Sequence, residues 1–242
     1  MSNLEIFLTN KNSIKPSPAY EILFEDNHLL VVNKSRGVLV QGDQTGDPSL
    51  VDLLKSYIKN TYQKPGNVFL GVVHRLDRPT SGVVLFAKTS KALSRLNEDF
   101  KNRKVEKIYR CIVSGHPQQQ QAKLKHWLVR KPKNNKSYAY PKAVPNAKEA
   151  RLSYTTVQQL DRYSCLEVHL ETGRHHQIRT QLSQMGHPIK GDLKYGADRS
   201  NPDGGIDLHA FRLQITHPTL KTSLRFEAPY PKDSIWSAVA SD

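Results

Sequence analysis

The sequence of 242 residues lacks most features of secreted, membrane-spanning or metal-binding chains. Its only two cysteines, Cys111 and Cys165, stand in no CxxC motif, which excludes zinc ribbons and thioredoxin-like sites. No apolar run approaches the length of a membrane span. The N-terminal segment has no apolar signal core, so we expect a cytoplasmic protein whose two thiols are small buried hydrophobes.

Nucleotide-binding and nucleophile motifs are missing as well. The 13 glycines form neither GxGxxG nor GxxxxGKS/T, and Ser81 lies in no GxSxG elbow. Five histidines invite a metal interpretation: His74, His175, His176, His187 and His209. None of them belongs to an HExxH motif or a helical histidine pair. We therefore expect neither a metal nor an organic cofactor.

Acidic residues are scarce relative to basic ones. The chain has 36 Lys and Arg against 22 Asp and Glu, a formal net charge of +14. Between residues 123 and 148 no acid occurs, and aromatic rings are interleaved with eight cations: Lys123, Lys125, Arg130, Lys131, Lys133, Lys136, Lys142 and Lys148. Cations bind phosphates and flat rings stack on unpaired bases, so the segment favours a nucleic-acid partner over a merely solvated loop.

Short apolar runs separated by turn residues indicate a strand-rich domain over residues 19–242. Strands are predicted at 20–24, 29–32, 72–73, 83–86, 108–113, 124–129, 152–157, 166–170, 208–213 and 224–226. Runs of strands with few helices predict an α+β domain with a mostly antiparallel sheet.

Helices and irregular segments are predicted from caps, periodicity and composition. Residues 1–18 are interpreted as a flexible arm, and the basic segment 130–148 as a long mobile loop. Three helices are predicted: about 49–59 after an Asp47 cap, one from Thr89 or Ser90, and His176 to Met185 with Gly186 after its end.

The most informative window is GVVHRLDRPTSGVVLFAK, residues 71–88. Two apolar runs support a polar loop with one carboxylate, Asp77, between Arg75 and Arg78. Neighbouring guanidinium groups stabilise a charged, nucleophilic carboxylate, and polar loops on rigid scaffolds often carry function. An arginine-paired Asp in a surface turn is an equally good interpretation of these residues alone.

A second polar window, ETGRHHQIR at residues 171–179, follows a predicted strand and opens a helix near His176. Free N–H groups at a helix start, with Arg174 and Arg179 nearby, suit a phosphate or a carboxylate. The alternative is that His175 and His176 are surface residues and Arg179 belongs to a structural ion pair.

Six motif blocks occur in order along the chain: EDNHLLVVNKSRG (25–37), HRLDRPTSG (74–82), KIYR (107–110), TGRHHQIR (172–179), GHPIKGDLKYG (186–196) and LHAFRL (208–213). Together they resemble the RluA-type family of RNA pseudouridine synthases, over almost the whole chain. The resemblance implies a long, bent, mostly antiparallel mixed sheet with flanking helices and a central active cleft. It also implies isomerisation of a uridine in ribosomal or transfer RNA to pseudouridine, without a cofactor.

The resemblance also implies residue roles. Asp77 would be the essential carboxylate, Arg179 its ion-pair partner, and Tyr109 a pocket residue and a candidate for helping to remove the C5 proton. Arg75 would help extrude the target nucleotide. Whether Asp77 attacks the sugar or uracil C6 stays open. Five further residues are expected to bind the substrate: His74, Thr80, Lys34, Arg174 and Gln177.

The chain departs from the family pattern at three points. Ser35 stands where a proline usually follows the lysine, and His175 where a smaller residue such as Thr is common. Many members carry an N-terminal RNA-binding module, but here the first block already begins at residue 25. We therefore expect a monomer without that module, in which residues 123–148 contact the RNA.

Two rival functions are an idle RNA-binding protein that uses the same cleft and a glycosidase acting on free nucleosides. The set of Asp77, Tyr109 and Arg179 argues against a pure binder, because a desolvated carboxylate among phosphates weakens binding. The charge of +14 argues against the glycosidase, since a small neutral substrate needs no such field.

Overall fold

Strands dominate the structure, a computed structural model that describes residues 18–44 and 46–240. The strands are β1 (Tyr20–Glu25), β2 (Leu29–Lys34), β3 (Gly71–Val72), β4 (Ser81–Ala87), β5 (Glu106–Ser114), β6 (Gln121–Lys131), β7 (Lys136–Tyr140), β8 (Lys148–Gln159), β9 (Tyr163–Leu170), β10 (Leu208–Thr216) and β11 (Ser223–Glu227). The helices are α1 (Leu50–Thr61), α2 (Ser90–Lys101), α3 (Gln177–Gln184) and α4 (Ser234–Ala240). The α+β prediction is confirmed. The arm predicted at 1–18 lies outside the described residues, apart from Pro18.

All eleven described strands belong to one mixed sheet, in the order β1-β2-β4-β10-β5-β9-β8-β6-β7, with β3 beside β4 and β11 beside β10. Among these pairs only β4 and β10 run parallel. Gly82 lies at that junction with φ 114°. A Cβ there would stand 2.3 Å from the Ala210 carbonyl oxygen, so only glycine allows the two strands to approach.

Strand β4 is buried on both faces, which fixes the loop that leads into it. Val83 and Leu85 pack against α2 on one face. Val84 and Phe86 pack against α1 on the other. Because side chains alternate along a strand, this continuous apolar run supplies both cores at once. The loop carrying Asp77 therefore leads into a strand whose seven residues are all buried.

Two predictions of local structure are wrong. Helix α1 is capped by Ser49 rather than Asp47: the Ser49 hydroxyl accepts the Asp52 N–H, and the Asp52 carboxylate accepts the Ser49 N–H. The segment 130–148 is not one long loop, because β7 pairs with β6 after a short 3₁₀ turn. The turn closes at Asn135, whose left-handed φ of 45° suits a tight reversal.

Helix α4 is short and follows a segment with prolines, so hydrophobic periodicity does not predict it. The Asp233 carboxylate accepts the Trp236 N–H at 3.1 Å. The Trp236 indole N–H donates to Asp207 at 2.9 Å, and Asp207 also pairs with Arg36 of the β2–α1 connection. These contacts attach α4 to the residue before β10 and, through it, to the β2–α1 connection.

The two cysteines and the helix lengths complete the description of the fold. Cys111 and Cys165 are both buried and free, as predicted. Within residues 18–44 and 46–240, no helix has the length and apolar character needed to cross a membrane.

Buried His209 predicts a pH-dependent stability. Burial lowers its pKa from the ordinary value to about 4, with Ser81 Oγ 2.9 Å from Nδ1. Since an unfolded histidine titrates near 6.5, the unfolded chain binds more protons between these values. We expect the free energy of unfolding to fall by about 2 kcal/mol from this group between pH 7 and pH 5. Urea unfolding measures the change, and His209→Met should lose that part of it. A pH-independent free energy would contradict the prediction.

Candidate active site

Asp77 lies in the loop between β3 and β4, and Lys34 holds that loop from below. The buried Lys34 ammonium donates to the carbonyl oxygens of Ser35 (2.9 Å), Val38 (2.8 Å) and Arg78 (3.2 Å). Burial lowers the pKa of Lys34 to about 7, whereas the charge of Asp77 acts to raise it. All three donors of the ammonium are engaged by carbonyl oxygens of the protein, so Lys34 supports the loop from beneath. That Lys34 also binds substrate stays a prediction.

Arg179 of α3 reaches the same loop from the other side. Its Nη1 lies 3.0 Å from Asp77 Oδ2, across 102 residues of sequence. Its Nε and Nη2 grip both oxygens of buried Asp192, at 2.6 and 2.8 Å. Burial alone would lower the pKa of Arg179, but the two carboxylates outweigh it and raise that pKa. The pairing that the resemblance implies is therefore present, with Asp192 fixing the guanidinium plane.

His176 and Tyr195 complete the surroundings of the carboxylate. His176 Nε2 lies 3.5 Å from Asp77 Oδ2, and its Nδ1 lies 2.9 Å from the Tyr195 hydroxyl. That hydroxyl accepts the Ser137 N–H at 2.8 Å, and the Tyr195 ring lies 5.0 Å below the Arg179 guanidinium. Burial lowers the pKa of His176 to about 3, so the imidazole is neutral.

Tyr109 and the two arginines next to Asp77 in sequence occupy different places. Tyr109 projects from β5 and lines the same cleft as Asp77. Burial, and then the charge of Asp77, raise the pKa of its phenol. Arg75 is exposed and lines the cleft. Arg78 instead forms an ion pair with Asp47 at 2.8 Å. The guanidinium group that is hydrogen-bonded to the Asp77 carboxylate belongs to Arg179.

Two of the residues expected to bind substrate are partly or wholly buried beside the cleft. His74 accepts the Leu85 N–H at 3.1 Å and stacks on Phe100 with ring centroids 5.1 Å apart. Burial lowers the pKa of His74 to about 4, so the ring is neutral. Thr80 is only 1% exposed, and its hydroxyl finds no hydrogen-bond partner among the described residues.

The other two expected residues shape the bend before α3. The Gln177 side chain is buried and accepts the Thr172 hydroxyl at 2.8 Å and the Arg174 N–H at 3.0 Å. Its amide donates to the Arg151 carbonyl at 3.0 Å, so its polar atoms are used by the protein. Arg174 donates through Nε to the Glu149 carbonyl at 2.9 Å and still lines the cleft.

These residues surround a cleft of about 1120 Å³, more than a single small molecule needs. Seven Lys or Arg residues and three Asp residues line it: Arg75, Arg78, Lys107, Arg130, Arg174, Arg179, Lys194, Asp43, Asp77 and Asp203. An inner recess of about 140 Å³ contains Asp77, Tyr109 and Arg179 beside apolar Ile178 and Leu208. The arrangement defines a site that offers an anchored carboxylate to a polyanionic substrate.

Several residues in and around the cleft escaped sequence reasoning. Asp192 and Tyr195 lie in the block GDLKYG, but nothing in the sequence shows that they meet Arg179 and His176. Lys107 of β5 and Lys194 of the 3₁₀ turn Leu193–Tyr195 also line the cleft. Over the described ranges, no three His, Cys, Asp or Glu side chains gather in a way that could hold a metal ion.

Comparison with known proteins identifies the class. Residues 28–184 match the family of RNA pseudouridylate synthases. An uncharacterized RNA pseudouridine synthase of Chlorobaculum parvum is 35% identical, over 88% of this chain and 71% of its own length. The ribosomal large subunit pseudouridine synthase D of Zymomonas mobilis is 34% identical, over 88% and 70%. The protein of that name from Nitrosomonas europaea is 34% identical, but this chain covers only 62% of it.

Solved structures agree. Human RNA pseudouridylate synthase domain containing 4 superposes with a TM-score of 0.73 at 25% identity, covering 87% of this chain and 88% of that one. Human RNA pseudouridylate synthase domain containing 1 superposes with a TM-score of 0.70 at 27% identity, covering 88% of this chain and 84% of that one. The chain therefore belongs to the RNA pseudouridylate synthase family, and it is an isomerase that converts uridine in RNA to pseudouridine.

Proposed function

We propose that Asp77 is the catalytic carboxylate of this isomerisation. The observation that carries the proposal is that Asp77 lines both the cleft and the inner recess and is held by Arg179 at 3.0 Å. The reaction breaks the bond between ribose C1′ and uracil N1 and forms one between C1′ and C5. C5 then loses its proton and N1 gains one, so the number of protons on the nucleotide is unchanged. A carboxylate performs comparable work in glycoside hydrolysis.

The neighbouring residues have separable roles in this proposal. Tyr109 packs against the base, and its raised pKa keeps the phenol protonated in the free enzyme, which favours packing over proton abstraction. Arg75, exposed and lining the cleft, fills the space that the extruded nucleotide leaves. Removing a base from its stack costs a few kcal/mol, and phosphate contacts to Arg174 and the basic cleft offset that cost.

The substrate we propose is ribosomal RNA of the large subunit, modified in the cytoplasm by a monomer whose catalytic domain is residues 19–242. Support comes from the names of two relatives, ribosomal large subunit pseudouridine synthase D, which refer to that RNA. Pseudouridine mapping of total RNA, with and without the gene, tests the proposal. Loss of a site in ribosomal RNA supports it, and loss in transfer RNA alone redirects it. Loss of a site in neither RNA would contradict the proposed substrate.

The basic hairpin, which we define as residues 121–140 of β6, its turn and β7, is the proposed contact for flanking phosphates. The Lys131 ammonium lies 4.9 Å from the Tyr138 ring centroid, and the Lys136 ammonium lies 5.1 Å from that of Tyr195. Neutralising Lys131, Lys133 and Lys136 to Gln should weaken RNA binding. It should also make the slope of log K against log salt shallower by about 2. Filter binding over a salt series measures both.

A matched control removes three charges elsewhere. Lys91, Lys221 and Arg225 are exposed, and none of them lines the cleft within the described chain. Their replacement by Gln should leave the salt slope unchanged. If the control and hairpin variants lose slope equally, net charge rather than the hairpin governs binding, and the proposed contact is wrong.

A further inference from the structure

The two oxygens of the Asp77 carboxylate have different surroundings. Both described contacts of the carboxylate end on Oδ2: Arg179 Nη1 at 3.0 Å and His176 Nε2 at 3.5 Å. In the described part of the chain, Oδ1 takes part in neither a hydrogen bond nor an ion pair. The side chain is 30% exposed, so solvent or substrate reaches it. One oxygen is therefore anchored while the other is left for the cleft.

The hydrogen bonds of Tyr195 decide which nitrogen of His176 carries the proton. The phenol oxygen already accepts the Ser137 N–H at 2.8 Å, so its own proton is free to be donated to His176 Nδ1, 2.9 Å away. A neutral imidazole that accepts at Nδ1 carries its proton on Nε2. The opposite tautomer would direct the Nε2 lone pair at a carboxylate, which is electrostatically unfavourable.

The backbone at His176 is also unusual. The residue has φ 53° and ψ 26°, a left-handed conformation that few non-glycine residues adopt. Such conformations are unfavourable for a residue other than glycine and persist where the surroundings enforce them, often at functional sites. Here the conformation accompanies a side chain that is only 6% exposed and whose ring nitrogens face Tyr195 and Asp77.

We propose that His176 is a positioning residue whose Nε2–H faces Asp77 Oδ2 across 3.5 Å, so that Oδ1 is the oxygen presented to the target uridine. The Tyr195 hydroxyl sets the tautomer of His176, and the Ser137 N–H of the basic hairpin orients that hydroxyl. The inference rests on the proposed role of Asp77. It adds that hairpin placement, through Ser137, Tyr195 and His176, governs the orientation of the carboxylate.

Matched variants separate the donor from the packing. His176→Gln keeps a terminal N–H donor and His176→Leu removes it, while both place an unfavourable residue type at the same left-handed position. We expect His176→Leu to lower the single-turnover rate roughly tenfold or more, with the RNA dissociation constant within twofold of wild type. His176→Gln should recover most of the rate. Equal losses in both variants, or a full rate in His176→Leu, would overturn the proposal.

Tyr195→Phe provides a route that leaves His176 in place if the substitutions there prevent folding. It removes the hydroxyl but keeps the ring beneath Arg179, and we expect a smaller loss of single-turnover rate at unchanged RNA affinity. A matched control, His116→Leu, removes a histidine bonded to Ser164 at 3.0 Å outside the cleft. That control should turn over at the wild-type rate. An unchanged rate in Tyr195→Phe would contradict the role given to its hydroxyl.

Nuclear magnetic resonance tests the tautomer of His176 without relying on a measurement of enzyme activity. Long-range proton–nitrogen correlations on ¹⁵N-histidine protein should show His176 neutral and protonated on Nε2 at pH 7. In Tyr195→Phe, the population of the two neutral His176 tautomers should shift toward the one protonated on Nδ1. If His176 of the wild-type protein is protonated on Nδ1, the inference is wrong, whatever the role of Asp77. Conversely, a correct tautomer together with an active Asp77→Asn variant leaves the contact intact and rejects the proposed function.

Discussion

Asp77→Asn should abolish pseudouridine formation while leaving RNA binding intact. The amide keeps the size of the side chain but loses the charge that Arg179 anchors, and it cannot act as a carboxylate toward the sugar or the base. Losses on the order of 10⁴ in rate are usual when a central charged catalytic group is removed. Release of tritium from RNA labelled at uridine C5 measures turnover, and filter binding measures affinity.

The control for this variant must remove the same charge. Asp161→Asn does so in the exposed turn between β8 and β9, remote in the sheet order from β4. We expect wild-type turnover from it. Both variants raise the net charge by one, so a shared change in RNA affinity reflects the overall field alone. Wild-type turnover in Asp77→Asn would remove the carboxylate from the mechanism.

Arg179→Met should cost both stability and activity. The substitution leaves Asp192, whose side chain is 1% exposed, with a buried charge that has lost its bidentate partner. Removing one member of a buried ion pair typically destabilises a protein by about 3–5 kcal/mol. Asp77 loses its anchor at the same time. Chemical denaturation measures the first effect and tritium release the second.

The double variant Arg179→Met with Asp192→Leu separates the two effects. Replacing both members of a buried pair by apolar residues is often neutral for stability, so the free energy of unfolding should return toward wild type. Turnover should stay low, because nothing restores the anchor of Asp77. Recovery of activity together with stability would show that Arg179 serves the fold alone. A loss below 1 kcal/mol in the single variant would contradict the buried-pair argument.

Local sequence signals predicted the sheet well and the site incompletely. A continuous apolar run placed β4 within two residues of both its ends, and alternating apolar residues placed the end of β9 correctly but its start three residues too late. The capping of α1 failed at Asp47, since Ser49 and Asp52 form a reciprocal pair that competes with an equally plausible cap. Strand β7 was not predicted, because its polar and charged residues lack the hydrophobic pattern of a strand and its formation depends on pairing with β6.

The site was predictable only where motifs named its members. Resemblance brought Asp77 and Arg179 together although 102 residues separate them. It gave no role to Asp192 or Tyr195, because their function depends on which atoms they meet in space. It also placed Lys34 and Gln177 among substrate-binding residues, whereas their polar atoms are occupied by neighbouring groups of the protein.

The parallel pairing of β4 with β10 has a consequence for folding kinetics. Ser81 and His209 meet at that junction although 128 residues separate them in sequence. Closing so long a loop is entropically costly, and chains rich in such distant contacts fold slowly. We therefore expect refolding experiments to show hairpins and helices early. The inner recess, and with it enzymatic turnover, should return only in the final kinetic phase.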